Sequence, residues 1–162
     1  LSVLGAITLD GGGVLSQNGG SFSAGQLIID NTGLLNLNSK AVIADLRIKN
    51  GGVLTHEMGN VGFNLEVSGN AVIESGGKID VTGKGFGKSL GPGAGLGNAE
   101  ALQCGSGGGY GGIGGNSETL AGGLSYGNII VPSDLGSGGG GIAGGVGGGK
   151  ITINIKRMIT VT

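Results

Sequence analysis

The sequence predicts an all-β fold, a parallel β-helix (β-solenoid) interrupted by one large glycine-rich excursion. Three observations predict it. Short strand-like segments recur in the first half with a period of about 20 residues, which is typical of a solenoid. Glycine makes up 28 of the 67 residues from 83 to 149. No window long enough for a helix keeps a period of about 3.6 residues without an interrupting glycine, so we expect essentially no α-helix.

The repeat in the first half consists of four strand-like tetrads. They occupy residues 7–10, 27–30, 46–49 and 65–68, with starting offsets of 20, 19 and 19 residues. A turn signal rich in glycine and asparagine follows each tetrad, at 11–13, 31–33, 50–52 and 69–70, and a second short apolar segment comes next. A third, weaker segment closes each unit, at 21–23, 41–43, 61–63 and 78–81. Three short strands per period form one rung of a parallel β-helix.

Alternation within the tetrads predicts which side chains face the interior, because successive side chains of a strand point to opposite faces. The first and third residues of each tetrad are predicted to point inward: Ile7, Leu9, Leu27, Ile29, Leu46, Ile48, Leu65 and Val67. The second residues are predicted to point outward: Thr8, Ile28, Arg47 and Glu66. Among these four, Ile28 alone is poorly suited to solvent.

The stretch 83–149 has the composition of a flexible linker, but two features favour an ordered structure. It carries many apolar side chains, and its charged residues are five: Lys84, Lys88, Glu100, Glu118 and Asp134. We expect tightly packed backbone, with glycine where a Cβ would not fit. Polyglycine strands in the left-handed threefold conformation are one solution. Alanine at Gly108 or Gly139 is then expected to destabilise the fold by overpacking.

The chain returns to clean alternation at 151–155, so this segment is predicted to rejoin the stack. The excursion would then lie against the side of the solenoid, because its apolar residues need cover. We predict a single domain over 1–162: four rungs in 1–82, the glycine-rich excursion in 83–149 and a returning strand in 150–162.

Composition excludes several classes of partner. The net charge of −1 gives no electrostatic footprint for nucleic acid or an anionic membrane, and no apolar run reaches the length of a membrane span. The lone Cys104 is expected to be a buried free thiol. Because Leu1 is not a start methionine, we expect the chain to come from a longer precursor.

Candidate motifs for chemistry are weak. The lone His56 is expected at a surface turn, and Cys104 has no partner at zinc-ligand spacing. Residues 83–89 miss the phosphate-loop spacing and precede no predicted helix. Residues 76–80 lack the spacing of a calcium-binding repeat. We therefore predict no catalytic residues, no cofactor-binding residues, no metal ligands and no cofactor.

An enzyme remains the alternative, because parallel β-helices also host polysaccharide lyases and hydrolases. Asp10, Asp30 and Lys49 hold equivalent positions in successive rungs and are predicted to stack in a column, with Ser68 next. We favour a solvated turn column over an acidic active site. A threonine ladder for ice or surface binding, suggested by Thr152, Thr160 and Thr162, has no matching column in the first four rungs.

Several glycine-rich motifs in the second half occur in order: KIDVTG at 78–83, GPG at 91–93, GGGYGGIGG at 107–115, SYG at 125–127, PSDLGSGGG at 132–140 and GGGKITI at 147–153. This series resembles glycine-rich repeats of large secreted or surface-displayed β-helix proteins, and it covers residues 78–155. The resemblance implies an extracellular or cell-surface structural or adhesive module. It carries over no catalytic residue.

Both ends of the sequence are strand-like, at 1–4 and 158–162, and neither carries a capping element. We therefore expect the partners to be further copies of the chain or adjoining repeats, stacked end to end in a filament or a larger surface protein. Surface polysaccharide is a further candidate partner.

Overall fold

The computed structural model describes residues 1–97 and 104–162. In this part of the chain the secondary structure is all β, without a helix, and so without any helix able to cross a bilayer. The strands are β1 Ser2–Leu9, β2 Val14–Gln17, β3 Phe22–Ile29, β4 Leu34–Leu37, β5 Lys40–Ile48, β6 Val53–Thr55, β7 Phe63–Val67, β8 Ala71–Ile73, β9 Lys78–Ile79, β10 Ile151–Ile155 and β11 Ile159–Val161. The predicted all-β class is confirmed.

The described residues form two compact units. The solenoid unit comprises Leu1–Glu57, Gly62–Asp80 and Ile151–Thr162. The glycine-rich unit comprises Met58–Val61 and the described part of Val81–Lys150. Residues 98–103, which belong to the predicted excursion, lie outside the described residues. The single-domain organisation stays a prediction.

Every strand pairing in the solenoid unit is parallel. The larger sheet has the order β1-β3-β5-β7-β10, with β8 beside β5 and β11 beside β8. The smaller sheet has the order β2-β4-β6-β9. Strands that are neighbours in a sheet come from successive turns of the chain, which is the topology of a solenoid. The predicted parallel β-helix is therefore confirmed, and β10 and β11 bring the chain back to this stack.

The interior of the solenoid is built from aligned apolar columns. Leu27 pairs with Leu46, and Ile29 with Ile48, so like residues stack directly on each other. Their side chains are at most 2% exposed, as the alternation predicts. The largest buried core side chains are Phe22, Phe63, Leu27, Ile29, Leu35, Leu37, Ile43, Leu46, Ile48, Leu54 and Leu65. Burying side chains of this kind contributes about 1.5–3 kcal/mol each relative to leaving them exposed.

Tight turns from successive rungs stack in a column at one corner of the solenoid, between the larger and the smaller sheet. Each is closed by a hydrogen bond from the last residue to the first: Gly13 N to Asp10 O, Gly33 N to Asp30 O, Gly52 N to Lys49 O and Gly77 N to Glu74 O, at 2.7–2.9 Å. The closing residue is glycine for a steric reason. A Cβ at Gly52, for example, would lie 2.3 Å from the carbonyl oxygen of Ile29 in the turn below.

The sequence-based alignment of the fourth rung is wrong. Leu65 pairs with Ala41, and Ala71 occupies the position above Leu46. The cause is the connection 56–62 between β6 and β7, which is longer than the connection 38–39 between β4 and β5. The fourth turn therefore falls at 74–77, not at 69–70. Residues 78–79 form β9 of the smaller sheet, so segment 78–81 does not close the rung as predicted.

The glycine-rich unit is held by backbone hydrogen bonds between segments that are distant in sequence. Ser106 N donates to Leu96 O at 2.9 Å and Gly109 N, three residues further on, donates to Gly93 O at 2.8 Å in the same neighbouring segment, whereas Gly107 N donates to Gly115 O at 2.8 Å in another segment. A backbone with threefold symmetry directs its N–H groups in this way. The threefold conformation itself, and a position against the side of the solenoid, stay predictions.

Many glycines of this unit have no space for a side chain. A Cβ would lie 1.7 Å from Gly114 O at Gly122, 1.9 Å from Gly140 O at Gly105, and 2.7 Å from Ser137 O at Gly108. These distances agree with the expectation for Gly108. The expectation for Gly139 is wrong, because the nearest atom to a Cβ there lies 3.5 Å away, an ordinary van der Waals contact.

Candidate functional site

The first candidate site is the turn column, formed by Asp10, Asp30, Lys49 and Glu74. These residues directly follow paired strand positions, and hydrogen bonds link the column: Asp30 N donates to Leu9 O at 2.9 Å, Lys49 N to Ile29 O at 3.0 Å and Glu74 N to Ile48 O at 2.8 Å. The structure therefore brings Asp10, Asp30 and Lys49 together as predicted. It places Glu74, not Ser68, in the next position.

Ion pairs neutralise the middle and top of the turn column. Lys49 Nζ lies 2.9 Å from Asp30 Oδ2, and Arg47 Nε lies 2.9 Å from Glu74 Oε1. Asn50 also donates from Nδ2 to Asp30 Oδ1 at 2.9 Å. Side chains of successive turns are thus joined across the stack. This arrangement links neighbouring turns of the solenoid to each other.

The surroundings of Asp30 favour its ionised form. The hydrogen-bonded ammonium group of Lys49 is the main cause that lowers the pKa of Asp30 below its ordinary value of 3.8, and donors on Asn50 and Asn31 act in the same direction. A glycoside hydrolase needs a carboxyl group whose pKa is raised so that it can donate a proton. Asp30 is therefore suited to an ion pair and poorly suited to general-acid catalysis.

Ser68 lies away from the turn column, at the end of the segment that contains β7. Its N–H donates to Ile43 O at 3.0 Å, and its side chain is exposed. The neighbouring Asn70 donates its backbone N–H to Asp45 Oδ1 at 2.8 Å. Ser68 thus lies at a different position around the rung from Asp10 and Asp30. Its predicted place in their column is wrong.

His56 is fully buried at the end of β6, so the prediction of a surface turn is wrong. Its Nδ1 lies 2.8 Å from Glu57 O, and its ring meets the ring of Phe63 edge-on with the centroids 6.3 Å apart. Because a carbonyl oxygen only accepts, Nδ1 carries the proton. His56 follows the buried Thr55, so two consecutive side chains at the end of β6 are buried and the imidazole is part of the core.

Cys104 is an exposed free thiol, so the expectation of a buried thiol is also wrong. Its neighbour Gly105 is the residue whose backbone packs against Gly140, with no space for a Cβ. The tight contact at this point is made by the glycine backbone and not by the thiol. Among the described residues, no group of three or more His, Cys, Asp and Glu side chains is placed to hold a metal ion.

The two loop motifs and the threonine column considered in the sequence make contacts within the protein that serve its structure. In the segment 83–89, Gly85 N donates to Gly147 O at 2.8 Å, and Lys88 Nζ donates to Ile142 O at 2.9 Å. In the segment 76–80, Lys78 forms an ion pair with Asp80 at 3.1 Å. Thr160 pairs with Val72, which pairs with Arg47, so the column through Thr160 is not a threonine ladder.

The second candidate site is a cavity of about 300 Å³ within the glycine-rich unit. It is lined by Gly59, Val61, Phe86, Pro92, Tyr126, Ser133, Asp134, Leu135 and Lys150. Sequence reasoning missed this site. The available signal was that Phe86, Tyr110 and Tyr126 are the only aromatic residues of the stretch 83–149, in a chain with few aromatic residues. Such residues are candidates for ligand contacts in a stretch where 28 of 67 residues are glycine.

The ion pairs of the solenoid predict a stability that falls in acid. Lys40, 2.8 Å from Glu66, is the main cause that lowers the pKa of that carboxyl below 4.5, as Lys49 lowers the pKa of Asp30 below 3.8. A lowered pKa in the folded state means stabilisation that is fully present above the unfolded-state pKa and is lost as the pH falls through the folded-state value. We expect the melting temperature to be flat above about pH 5 and to fall below it.

The double variant Asp30→Asn, Glu66→Gln tests this expectation through melting curves between neutral pH and acid. It should show a smaller loss of melting temperature in acid than the parent chain. The control is Glu118→Gln, which removes an exposed carboxyl of the glycine-rich unit. An acid limb that is equally steep in the parent and the double variant would contradict the assignment.

The sheet topology defines the class of the protein as a parallel β-solenoid of about four turns. A scan against known protein families finds no match, and searches of the curated proteins and of the solved structures find no significant similarity.

Proposed function

We propose that the chain is an extracellular structural or adhesive module, a β-solenoid building block of a surface protein, fibre or filament. The observation that carries the proposal is the open apolar interior at the outermost turns. Ile7 and Leu9 are half-buried, although Leu27 and Ile29, in the same columns one turn further in, are 0% exposed. A further turn stacked on β1 would complete the burial of these side chains.

The register of the sheets supports a second copy of the chain as that neighbour. One apolar column runs through Ile7, Leu27, Leu46, Ala71 and Ile159, and the next runs through Leu9, Ile29, Ile48, Ile73 and Val161. Placing β1 of one copy against β11 of another would set Ile7 over Ile159 and Leu9 over Val161. Both columns then continue without a break. A head-to-tail contact of this kind does not close on itself, so it propagates into a filament.

The composition of the glycine-rich unit supports the extracellular part of the proposal. The series of motifs along residues 78–155 resembles glycine-rich repeats of secreted and surface-displayed β-helix proteins. Large apolar side chains are exposed on it, among them Ile113, Leu124, Ile129, Ile130 and Val131, each at least 67% exposed. Ile129, Ile130 and Val131 are consecutive, and a contiguous group of exposed apolar side chains is typical of a surface that contacts other molecules.

Self-association of the purified chain tests the proposal. Val161 is 69% exposed at the open end of an apolar column, so Val161→Lys should leave the fold intact. We expect it to abolish end-to-end stacking by burying a charge in the contact. Val131→Lys is the matched control, because Val131 is 67% exposed in the glycine-rich unit.

Sedimentation velocity over a range of concentrations is the measurement. The parent chain and Val131→Lys should form species that grow with concentration, while Val161→Lys stays monomeric. A parent chain that is monomeric at high concentration would overturn end-to-end stacking of copies and leave adjoining repeats of a longer protein as the neighbour.

The alternative function is a polysaccharide-active β-helix enzyme, lyase or hydrolase. The stacking of Asp10, Asp30 and Lys49 favours it, and the ion pair between Asp30 and Lys49 favours a structural role instead. Release of products from pectin or alginate, measured with and without calcium, separates the two. Turnover that is lost in Asp30→Asn would reverse the order of the two proposals.

A further inference from the structure

The cavity in the glycine-rich unit combines an apolar wall with a polar rim. Phe86, Pro92 and Tyr126 supply flat apolar surfaces, and the buried Leu135 lies beside them. Its volume of about 300 Å³ is at the lower end of the range of about 300–1,000 Å³ for small-molecule sites. The cavity is therefore of a size for one small ring or one unit of a polymer.

The ring of Tyr126 is held in place from both sides. Its hydroxyl donates to Leu135 O and accepts from Ser137 Oγ at 2.9 Å. The ring packs edge-on against Tyr110, with the centroids 5.1 Å apart and the planes at 78°. Because its hydroxyl is already bonded within the protein, Tyr126 offers a ligand mainly its apolar ring surface. A side chain fixed in this way loses little conformational entropy on binding.

The rim of the cavity carries one group of each charge. Ser133 Oγ donates to Asp134 Oδ2 at 2.9 Å, and Lys150 Nζ donates to Ser133 O at 3.0 Å. These contacts hold the carboxylate of Asp134 and the ammonium group of Lys150 close to residues 133–135, which border the apolar wall. The carboxylate accepts hydrogen bonds only, and the ammonium group donates only. The two formal charges cancel, so the rim has no preference for an ionic ligand of either sign.

We infer that this cavity binds a neutral hexose unit of a polysaccharide. A pyranose ring has an apolar C–H face that stacks on aromatic rings, and hydroxyl groups that both donate and accept. The apolar wall matches the face of the ring. Asp134 accepts from sugar hydroxyls, and Lys150 donates to them. The inference rests on the proposed adhesive function and supplies the chemical class of its target.

An anionic or a purely apolar ligand fits the site less well. A uronic acid would place its carboxylate near Asp134 as well as Lys150, so repulsion by Asp134 cancels the attraction of Lys150, and the cost of taking a charged group out of water remains. A fully apolar ligand would cover Asp134 and Lys150 without replacing their hydrogen bonds with water, which is unfavourable. A neutral ring with hydroxyl groups along its edge avoids both costs.

Titration of the isotope-labelled chain with glucose, galactose and mannose, and with oligosaccharides of each, tests the inference by amide NMR. At least one series should shift the signals of Tyr126, Asp134 and Leu135, with a Kd on the order of 1 mM. Asp134→Asn removes the charged acceptor from an exposed position and should weaken binding about tenfold or more. Lys150→Met should also weaken it.

Two matched controls separate the site from a general effect of charge. Glu118→Gln removes an exposed carboxyl that does not line the cavity. Lys88→Met removes an ammonium group that, like that of Lys150, donates to a backbone carbonyl, with Nζ 2.9 Å from Ile142 O. Both controls should bind the sugar as the parent chain does.

Three results would overturn the inference: no shift with any neutral hexose, shifts confined to residues away from the cavity, or equal binding by Asp134→Asn and the parent chain. Tighter binding of uronic acids than of neutral hexoses would overturn the neutral class. Self-association is measured without sugar, and every titration, that of the reference chain and those of the variants, is carried out in the Val161→Lys background. Failure of stacking and failure of sugar binding are thus observed separately.

Discussion

Replacing Gly147 by alanine is expected to lower the free energy of unfolding by about 3 kcal/mol. A Cβ at this position would lie 1.8 Å from Gly136 O, so the added methyl group overlaps a backbone atom of the neighbouring segment. That oxygen belongs to the hydrogen-bonded network of the unit, because it accepts a hydrogen bond from Phe86 N at 2.9 Å. The backbone cannot move aside without breaking such bonds. Denaturant unfolding of both chains measures the difference.

The adjacent Gly148 provides the control, because a Cβ there has no atom within 4 Å. Gly148→Ala should leave the free energy of unfolding unchanged or raise it by up to about 1 kcal/mol, since alanine reduces the entropy of the unfolded chain. A flexible linker would respond to both substitutions in the same slightly stabilising way. Equal effects at the two positions would therefore contradict an ordered, closely packed glycine-rich unit.

Leu27→Ala is expected to destabilise the solenoid by about 3 kcal/mol. Leu27 is 0% exposed in the interior column between Ile7 and Leu46, so truncation leaves a cavity that the flanking turns cannot fill. Ile28 is the matched control, because it has the same number of carbon atoms, comes next in the chain and is half-exposed on the outer face. Ile28→Ala should cost less than about 1.5 kcal/mol. Similar losses at both positions would contradict the alternation.

The first three turns of the solenoid could be predicted from the sequence because their period, alternation and turns are local signals. Leu27, Leu46 and their neighbours repeat at nearly constant spacing, and the glycine that closes each turn occurs at the same position of each repeat. The fourth turn could not be aligned in this way. The longer connection 56–62 shifts the register of the fourth turn. Because β7 has the same apolar alternation as the tetrads, the sequence aligns Leu65 with Leu46, although Ala71 is the residue that pairs with Leu46.

The environments of single residues were harder to predict. A histidine after a strand is more often exposed, and only the packing around Phe63 places the ring of His56 in the interior. A lone cysteine is usually buried, but at Cys104 the close contact is made by the backbone of the next residue. Both outcomes depend on tertiary packing, which composition and spacing do not encode.

The cavity could not be predicted because its residues are distant in sequence. Phe86, Tyr126 and Lys150 come from separate segments of the glycine-rich unit, and each is surrounded by a sequence that suggests only close packing. The turn column was partly predictable. Asp10, Asp30 and Lys49 follow from the period, while Glu74 depends on the shifted register of the fourth turn.

Electron microscopy of the purified parent chain at high concentration tests the central claim, that the chain is a building block that stacks end to end. We predict unbranched filaments whose strands repeat every 4.7–4.9 Å or so along the axis, the spacing of hydrogen-bonded strands. Val161→Lys prepared in the same way should give single particles. Monodisperse single particles of the parent chain under these conditions would contradict the claim.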